Sequence, residues 1–346
     1  MIYETTKSFA VCICEDPMTR EGRLVLMLAG ASLVLAIAIT VVFRVNAYLN
    51  DGTGNKPRIV VVLKSIDYSL AFWQTVKDGV ESASKDYDVD VSILGPLSET
   101  QVDEQIRIMQ NSLLDKPAAI VLAATDFDRL VPVAKQVKAA HIPLVTIDSF
   151  ISSTDADTKI GTNNYQAGRN AGAALLKYLV PGSKIVIISQ DRGSSTALDR
   201  ESGVRDFLKG KAQVEETFYS SNDAKIAYNQ TTQLLGTDMD VKGIIALNDP
   251  TTIGAAQALK DSGRAKDVVL IGFDNSLTVL GFVESGVVRD TIVQKPFNMG
   301  YLGIKIALDL IKGKRVEPFI DTGSQVINSQ NMLLPANQQL LFPITK

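Results

Sequence analysis

Short apolar runs alternate with amphipathic stretches along most of this chain. Ile59–Leu63, Val89–Leu94, Ala118–Leu122 and Leu144–Ile147 are apolar and β-rich and end in polar residues. Lys184–Ile188, Val214–Tyr219, Gly243–Leu247, Val268–Ile271 and Thr291–Val293 repeat the pattern. Several are apolar throughout, as parallel strands covered on both faces require. Between them lie stretches with helical spacing, such as Phe72–Ser84 and Leu130–Ala140. Alternating strand and helix predicts an α/β fold of doubly wound parallel sheets. The strand, polar loop and helix over Ile59–Ala83 return over Lys184–Leu208, which predicts two similar lobes. Ligands of open α/β sheets bind beyond the carboxyl ends of the strands. Two facing lobes would pool those ends in one cleft.

A different pattern comes first. Leu24–Phe43, LVLMLAGASLVLAIAITVVF, carries no charge and is flanked by Arg20, Arg23 and Arg44. About 20 such residues cross a hydrocarbon core as a helix. A cleaved secretory signal has an apolar core of about 7–15 residues, so the longer run reads as an uncleaved signal anchor. Cleavage after Val45-Asn46-Ala47 is the alternative. No cysteine follows the run, as a lipoprotein signal would need. Lys7, Arg20 and Arg23 before it nearly balance Arg44, Lys56 and Arg58 after it, so charge alone does not orient the helix. Asn46–Pro57 is polar and rich in Gly and Asn, a flexible tether.

Composition narrows the function. Of 346 residues, 46% are hydrophobic, ordinary for a globular protein with one membrane helix. A net charge of −3 indicates no general attraction to nucleic acid. Cys12 and Cys14 both precede the apolar run and lack the further ligands that zinc needs. No nucleophile motif, metal cluster or phosphate loop is present, and His141 reads as a helix-end residue. An enzyme would have to rest on Asp148 and Asp274 as paired carboxylates, so no enzyme and no cofactor is expected. The helix-turn-helix of a transcriptional regulator is missing.

The strand ends carry the candidate chemistry. Asp148 closes LVTID, Asn248 and Asp249 close IIALND, Asp274 closes IGFD and Gln294 closes TIVQ. Phe72 and Trp73 open the helix after the first strand, and Arg200 lies early in the helix after Lys184–Ile188. Such a set suits a neutral sugar. Carboxylates, amides and a guanidinium answer hydroxyl groups, and aromatic faces answer the C–H face of a sugar ring.

These residues also carry a resemblance. Phe72-Trp73-Gln74-Thr75-Val76-Lys77-Asp78-Gly79, Ile147-Asp148, Gly161-Thr162-Asn163-Asn164 and Arg200-Glu201-Ser202-Gly203 appear in order. Ala246-Leu247-Asn248-Asp249, Gly272-Phe273-Asp274 and Thr291-Ile292-Val293-Gln294 follow. Over about residues 58 to 332 the chain resembles the ribose-binding-protein family, the type I periplasmic sugar-binding proteins related to LacI-type ligand domains.

The resemblance implies a site and a frame. Phe72 and Trp73 would sandwich the sugar. Asp148 would bind hydroxyls from one lobe, Arg200, Asn248 and Asp274 from the other, and Gln294 would lie where the chain crosses between them. Asn222 stands where the ribose receptor has an aromatic wall, Ala123 replaces an asparagine and Ser149 replaces an arginine. Another pentose, a hexose or a modified polyol is therefore open. The frame is a short cytoplasmic segment (1–23), a transmembrane signal anchor (24–43), a linker (44–57), lobe one (58–162 with 295–322) and lobe two (163–294 with 323–346). Two doubly wound lobes would close about a hinge near Thr162–Asn163, Gln294–Lys295 and Asp321–Gly323. The expected partners are the sugar, the membrane, and an ABC permease or a membrane sensor kinase, with the soluble part outside the cell membrane.

Overall fold

The computed structural model describes residues 29–42, 44 and 56–342. Two units are described separately. In the first, residues 29–42 form a helix, α1, with exposed side chains. Among the described residues no helix is long and apolar enough to cross a membrane. The expected membrane span Leu24–Phe43 lies partly outside the described residues, and residues 1–23 and 45–55 lie wholly outside them.

The second unit begins at Lys56. Its strands and helices alternate: β1 (Arg58–Val62), α2 (Ala71–Tyr87), β2 (Asp90–Leu94), α3 (Val102–Leu114), β3 (Ala119–Leu122), α4 (Val131–Ala139), β4 (Leu144–Ile147) and β5 (Thr158–Gly161). Then come α5 (Asn164–Leu176), β6 (Lys184–Ser189), α6 (Ser195–Leu208), β7 (Gln213–Tyr219), α7 (Ala224–Thr237), β8 (Val241–Ala246) and α8 (Asp249–Asp261). The chain ends with β9 (Val269–Phe273), α9 (Leu277–Glu284), β10 (Val288–Val293), α10 (Pro296–Ile311), β11 (Phe319–Asp321), β12 (Gln325–Ile327) and α11 (Pro335–Leu341).

Two six-stranded sheets result, in the orders β11-β5-β4-β3-β1-β2 and β12-β10-β9-β8-β6-β7. Among the described residues only β12 pairs antiparallel, against β10. The two-lobed α/β architecture is the one that the alternating pattern predicts. Unforeseen were β5, β11 and β12, which are short and carry polar residues (TKIG, FID, QVI), so no apolar run announces them. Burial on both faces is visible in β1. Ile59 and Val61 pack toward Val76, Val80 and Ile304, whereas Val60 and Val62 pack toward Met109 and Val133.

The lobes share one packing device. A Cβ at Gly79 in α2 would overlap the Phe297 carbonyl oxygen, and one at Gly300 in α10 would overlap that of Val76. In the other lobe, Gly168 in α5 and Gly203 in α6 stand in the same way against the carbonyls of Arg200 and Tyr165. Reciprocal glycines thus let helix backbones touch in each lobe, setting the positions of α2 and α6.

The chain passes between the sheets three times, after β5, after β10 and between β11 and β12. Asp321 ties two of these passages together. Its Oδ1 accepts from the backbone N–H of Asn163 at 3.1 Å and of Gly323 at 2.8 Å. Gly323 has φ +75°, a left-handed conformation that glycine adopts without cost.

The glycine contacts yield a test. Gly79→Ala and Gly203→Ala should each lower stability by about 1–3 kcal/mol through overpacking. Gly236→Ala in α7, where an added Cβ meets nothing within 4 Å, should cause no loss. Urea unfolding midpoints of the three variants check this.

Candidate functional site

All of the residues singled out at the strand ends and on the two helices meet. Phe72, Trp73, Asp148, Arg200, Asn248, Asp274 and Gln294 line one cleft with about 480 Å³ of space not filled by atoms, open solvent at its mouth included. Lobe one supplies Phe72 and Trp73 from the first turn of α2 and Asp148 from the end of β4. Lobe two supplies Arg200 from α6, Asn248 as the N-cap of α8, Asp274 from the end of β9 and Gln294 from the end of β10.

Asp148 and Asp274 occupy equivalent places in the two sheets. Each follows the third strand from its sheet's β11 or β12 edge, and each has left-handed backbone, φ 57° and 69°. Each donates its backbone N–H to the neighbouring strand, to Ile160 and Ile292, at 2.9 Å. Strained φ values at paired strand ends aim both carboxyls into the cleft at a cost in backbone energy, a feature typical of functional sites.

Arg200 is 3% exposed. Its Nε donates to Asn164 Oδ1 at 2.8 Å, its Nη1 donates to the Leu247 carbonyl at 2.6 Å, and its guanidinium lies 4.5 Å from the centre of the Phe273 ring. The side chain is therefore fixed before any ligand enters. Gln294 Nε2 donates to Asp274 Oδ1 at 2.7 Å, and the Asp249 N–H donates to Asp274 Oδ2 at 3.1 Å. Asn248 Nδ2 donates to Asn222 Oδ1, so Asn222 supplies an amide to the wall. Neither Ala123 nor Ser149 lines the cleft; the Ala123 carbonyl accepts from Gln105, and Ser149 Oγ lies 3.2 Å from Ser195 Oγ.

The aromatic pair departs from expectation. The Phe72 and Trp73 rings are 5.0 Å apart and nearly perpendicular, at 86°. Adjacent residues on one helix turn cannot present parallel faces to a ring between them. They form a corner instead of a sandwich, with Trp73 only 2% exposed. Trp73 Nε1 donates to Glu99 Oε1 at 2.7 Å, and Lys64 Nζ pairs with Glu99 Oε2 at 2.9 Å.

Lys64, Glu99, Gln190, Thr196 and Asp249 also line the cleft. The strand-end rule would have found Lys64 and Gln190, which directly follow the leucine closing the β1 run and the end of β6. Glu99 lies in a loop 26 positions from Trp73 and carries no sequence signal. Gln190 Oε1, Asp249 Oδ1 and Gln294 Oε1 are buried without a partner among the described residues. Acceptors of this kind suit a ligand rich in hydroxyl donors.

Charge is concentrated here. Burial raises the Asp148 carboxyl to about 6, against the opposing pull of Lys64 and Arg200. Burial also raises Asp249 to about 7, opposed by hydrogen bonds from Ser276 and assisted by Asp274. Asp274 is raised by burial despite Arg200 and Gln294. Burial disfavours the charge on Lys64, but Glu99, Asp148 and Asp191 together outweigh it and raise its pKa.

The lobes touch beside the cleft. The Phe127 N–H donates to the Gly193 carbonyl at 2.7 Å, and the Phe150 N–H donates to Ser195 Oγ at 2.7 Å. Among the described residues no group of His, Cys, Asp and Glu is placed to hold a metal ion.

A polar cleft with one aromatic corner, closed between two doubly wound lobes, defines a two-lobed solute-binding protein. The chain matches the periplasmic binding protein domain over residues 59–315 and belongs to that family, in its type I sugar-binding branch. It is 28% identical to the D-ribose/D-allose-binding protein of Pseudomonas aeruginosa, across 77% of this chain and 85% of that protein. Among solved structures it resembles an ABC transporter solute-binding protein of Agrobacterium vitis with bound D-fucose. That match has 34% identity and a TM-score of 0.79 and covers 82% of this chain and all (100%) of the other. A carbohydrate transporter solute-binding protein of Agrobacterium radiobacter in complex with D-arabinose matches at 32% identity and a TM-score of 0.80, covering 84% of this chain and 100% of its own.

Two predictions follow from the buried charges. Glu99→Gln removes the carboxylate that pairs directly with the buried Lys64 and should destabilise the fold by about 3 kcal/mol. The double variant Lys64→Met with Glu99→Gln should recover most of that loss in denaturant unfolding. The raised carboxyls set a pH dependence. Between the ordinary aspartate value of 3.8 and about 6 to 7, Asp148 and Asp249 hold protons in the folded protein that the unfolded chain releases. Their stabilising contribution is complete at the acid end and is lost as pH rises through that window. Asp249→Asn should flatten the decline in melting temperature; an unchanged decline would assign it to other groups.

Proposed function

We propose that this protein is an extracytoplasmic receptor for a neutral monosaccharide, a pentose or hexose. The observation carrying the proposal is the cleft itself. Carboxylates, amides and a fixed guanidinium converge on one small space between the lobes, and buried acceptors there have no partner among the described residues. Hydroxyl groups answer each of them, and the corner of Phe72 and Trp73 suits the apolar edge of a sugar ring.

Binding would proceed by closure. The lobes turn about the three passages at Thr162–Asn163, Gln294–Lys295 and Asp321–Gly323, with the sugar buried between them. Lobe one holds it through Asp148 and the aromatic corner, and lobe two through Arg200, Asn248 and Asp274. Gln294 steadies Asp274 from the passage between the lobes.

The closed receptor would deliver its sugar to the permease of an ABC importer. Solved relatives described as ABC transporter solute-binding proteins support this reading. The apolar run Leu24–Phe43 would serve as a signal anchor that keeps the receptor at the outer face of the cell membrane.

The test is a thermal-shift panel of pentoses, hexoses and polyols on the full-length protein. A sugar that binds only the folded state must raise the melting temperature. Silence across the panel would sink the sugar reading. For a sugar that responds, Asp274→Asn should weaken binding at least about tenfold, the loss of one buried charge-assisted hydrogen bond. Asparagine tolerates left-handed backbone, so this variant alters the carboxylate and its hydrogen bonds without straining the main chain. Trp73 is the one tryptophan of the chain, and its fluorescence should titrate with the sugar.

A further inference from the structure

A second hollow adjoins the cleft. About 1480 Å³ of space not filled by atoms lies in and at the mouth of this hollow, open solvent included, and Ala71, Phe72, Asp249 and Asp274 line both spaces. Its walls are α2 and the start of α10 from lobe one, and the start of α9 and the end of α11 from lobe two. Large apolar side chains border it in the open, with Leu277 76% and Phe342 46% exposed. Exposed apolar groups gathered around a concavity mark a binding surface.

The wall from lobe two is held in place. Asn275 Nδ2 donates to the Leu341 carbonyl at 3.0 Å, and Leu341 is buried among Leu280, Val293 and Ile327. Ser276 caps α9 by accepting from the Val279 N–H at 3.3 Å, which sets Leu277 at the first turn. On the shared edge, Ser276 bonds the Asp249 carboxyl group, whose buried Oδ1 has no hydrogen-bond partner among the described residues. A preformed hollow that sets apolar side chains beside polar ones such as Asp78, Lys295 and Gln339, with an acceptor at its junction with a sugar-sized cleft, is built for the far end of a longer ligand.

We propose that this hollow is a second subsite and that the natural ligand is a glycoside. Its sugar ring occupies the cleft, and an O-glycosidic link passes Phe72 to a second ring lying against Leu277 and Phe342. This rests on the sugar-receptor reading above and narrows its ligand class. A free monosaccharide fills only the inner space.

Calorimetric titration of the full-length protein tests it, using free D-ribose, D-allose, D-arabinose and D-fucose beside the 4-nitrophenyl glycosides of the same sugars. At least one glycoside should bind about tenfold or more tighter than its parent sugar, the return on burying one further ring. Leu277→Glu should remove that gain and leave the affinity for the free sugar unchanged. Leu277 lines only the outer hollow, and an acidic side chain in the first turn of a helix is tolerated. Free sugars that bind while every glycoside binds more weakly would overturn the second subsite and leave the receptor reading standing. A gain that survives Leu277→Glu would overturn it as well. Binding of neither class would overturn both.

Discussion

Everything in the cleft depends on charge being held out of water in compensated sets. Lys64 and Arg200 face Glu99, Asp148, Asp249 and Asp274 in a space shut between two lobes. An isolated buried charge would cost several kcal/mol; here Lys64 and Arg200 are met by fixed partners, while burial pushes the Asp148, Asp249 and Asp274 carboxyls toward their neutral forms. Glu99 satisfies Lys64 and the Trp73 indole together. Arg200 is braced by a carbonyl, an amide and an aromatic face. This bracing pre-organises the site, so a ligand spends little of its binding energy on arranging the protein.

Two lobes with the same construction deliver these groups. Parallel strands put their carboxyl ends on one side of each sheet, and reciprocal glycines fix the helix that follows the first strand of each lobe. Asp148 and Asp274 then face one another's lobe from equivalent strand ends with the same unusual backbone. Gly168 packs against the carbonyl of Arg200 itself, so the helix contact and the position of the guanidinium are one constraint.

Much of this was legible in the sequence because it follows from period and placement. Apolar runs marked the long strands, and the polar residues closing them marked Asp148, Asn248, Asp274 and Gln294. Lys64 and Gln190 sit at equivalent ends, yet a lysine or glutamine there reads as a solvated residue until burial is known. Glu99 was hidden because its role comes from a loop folding back onto α2. The perpendicular setting of Phe72 and Trp73 depends on side-chain angles that residue spacing does not encode. The strands β5, β11 and β12 hold too few apolar residues for a periodic signal.

The contacts at the rim have a consequence for affinity. Phe127 with Gly193 and Phe150 with Ser195 join the lobes through groups that do not line the cleft. Their contribution to the closed arrangement is the same for every occupant. The affinity measured for any ligand is its intrinsic value scaled by the fraction of molecules already competent to hold it. Changes at these rim positions therefore act as a common gain control, raising or lowering retention of all ligands together while selectivity among them stays with the cleft.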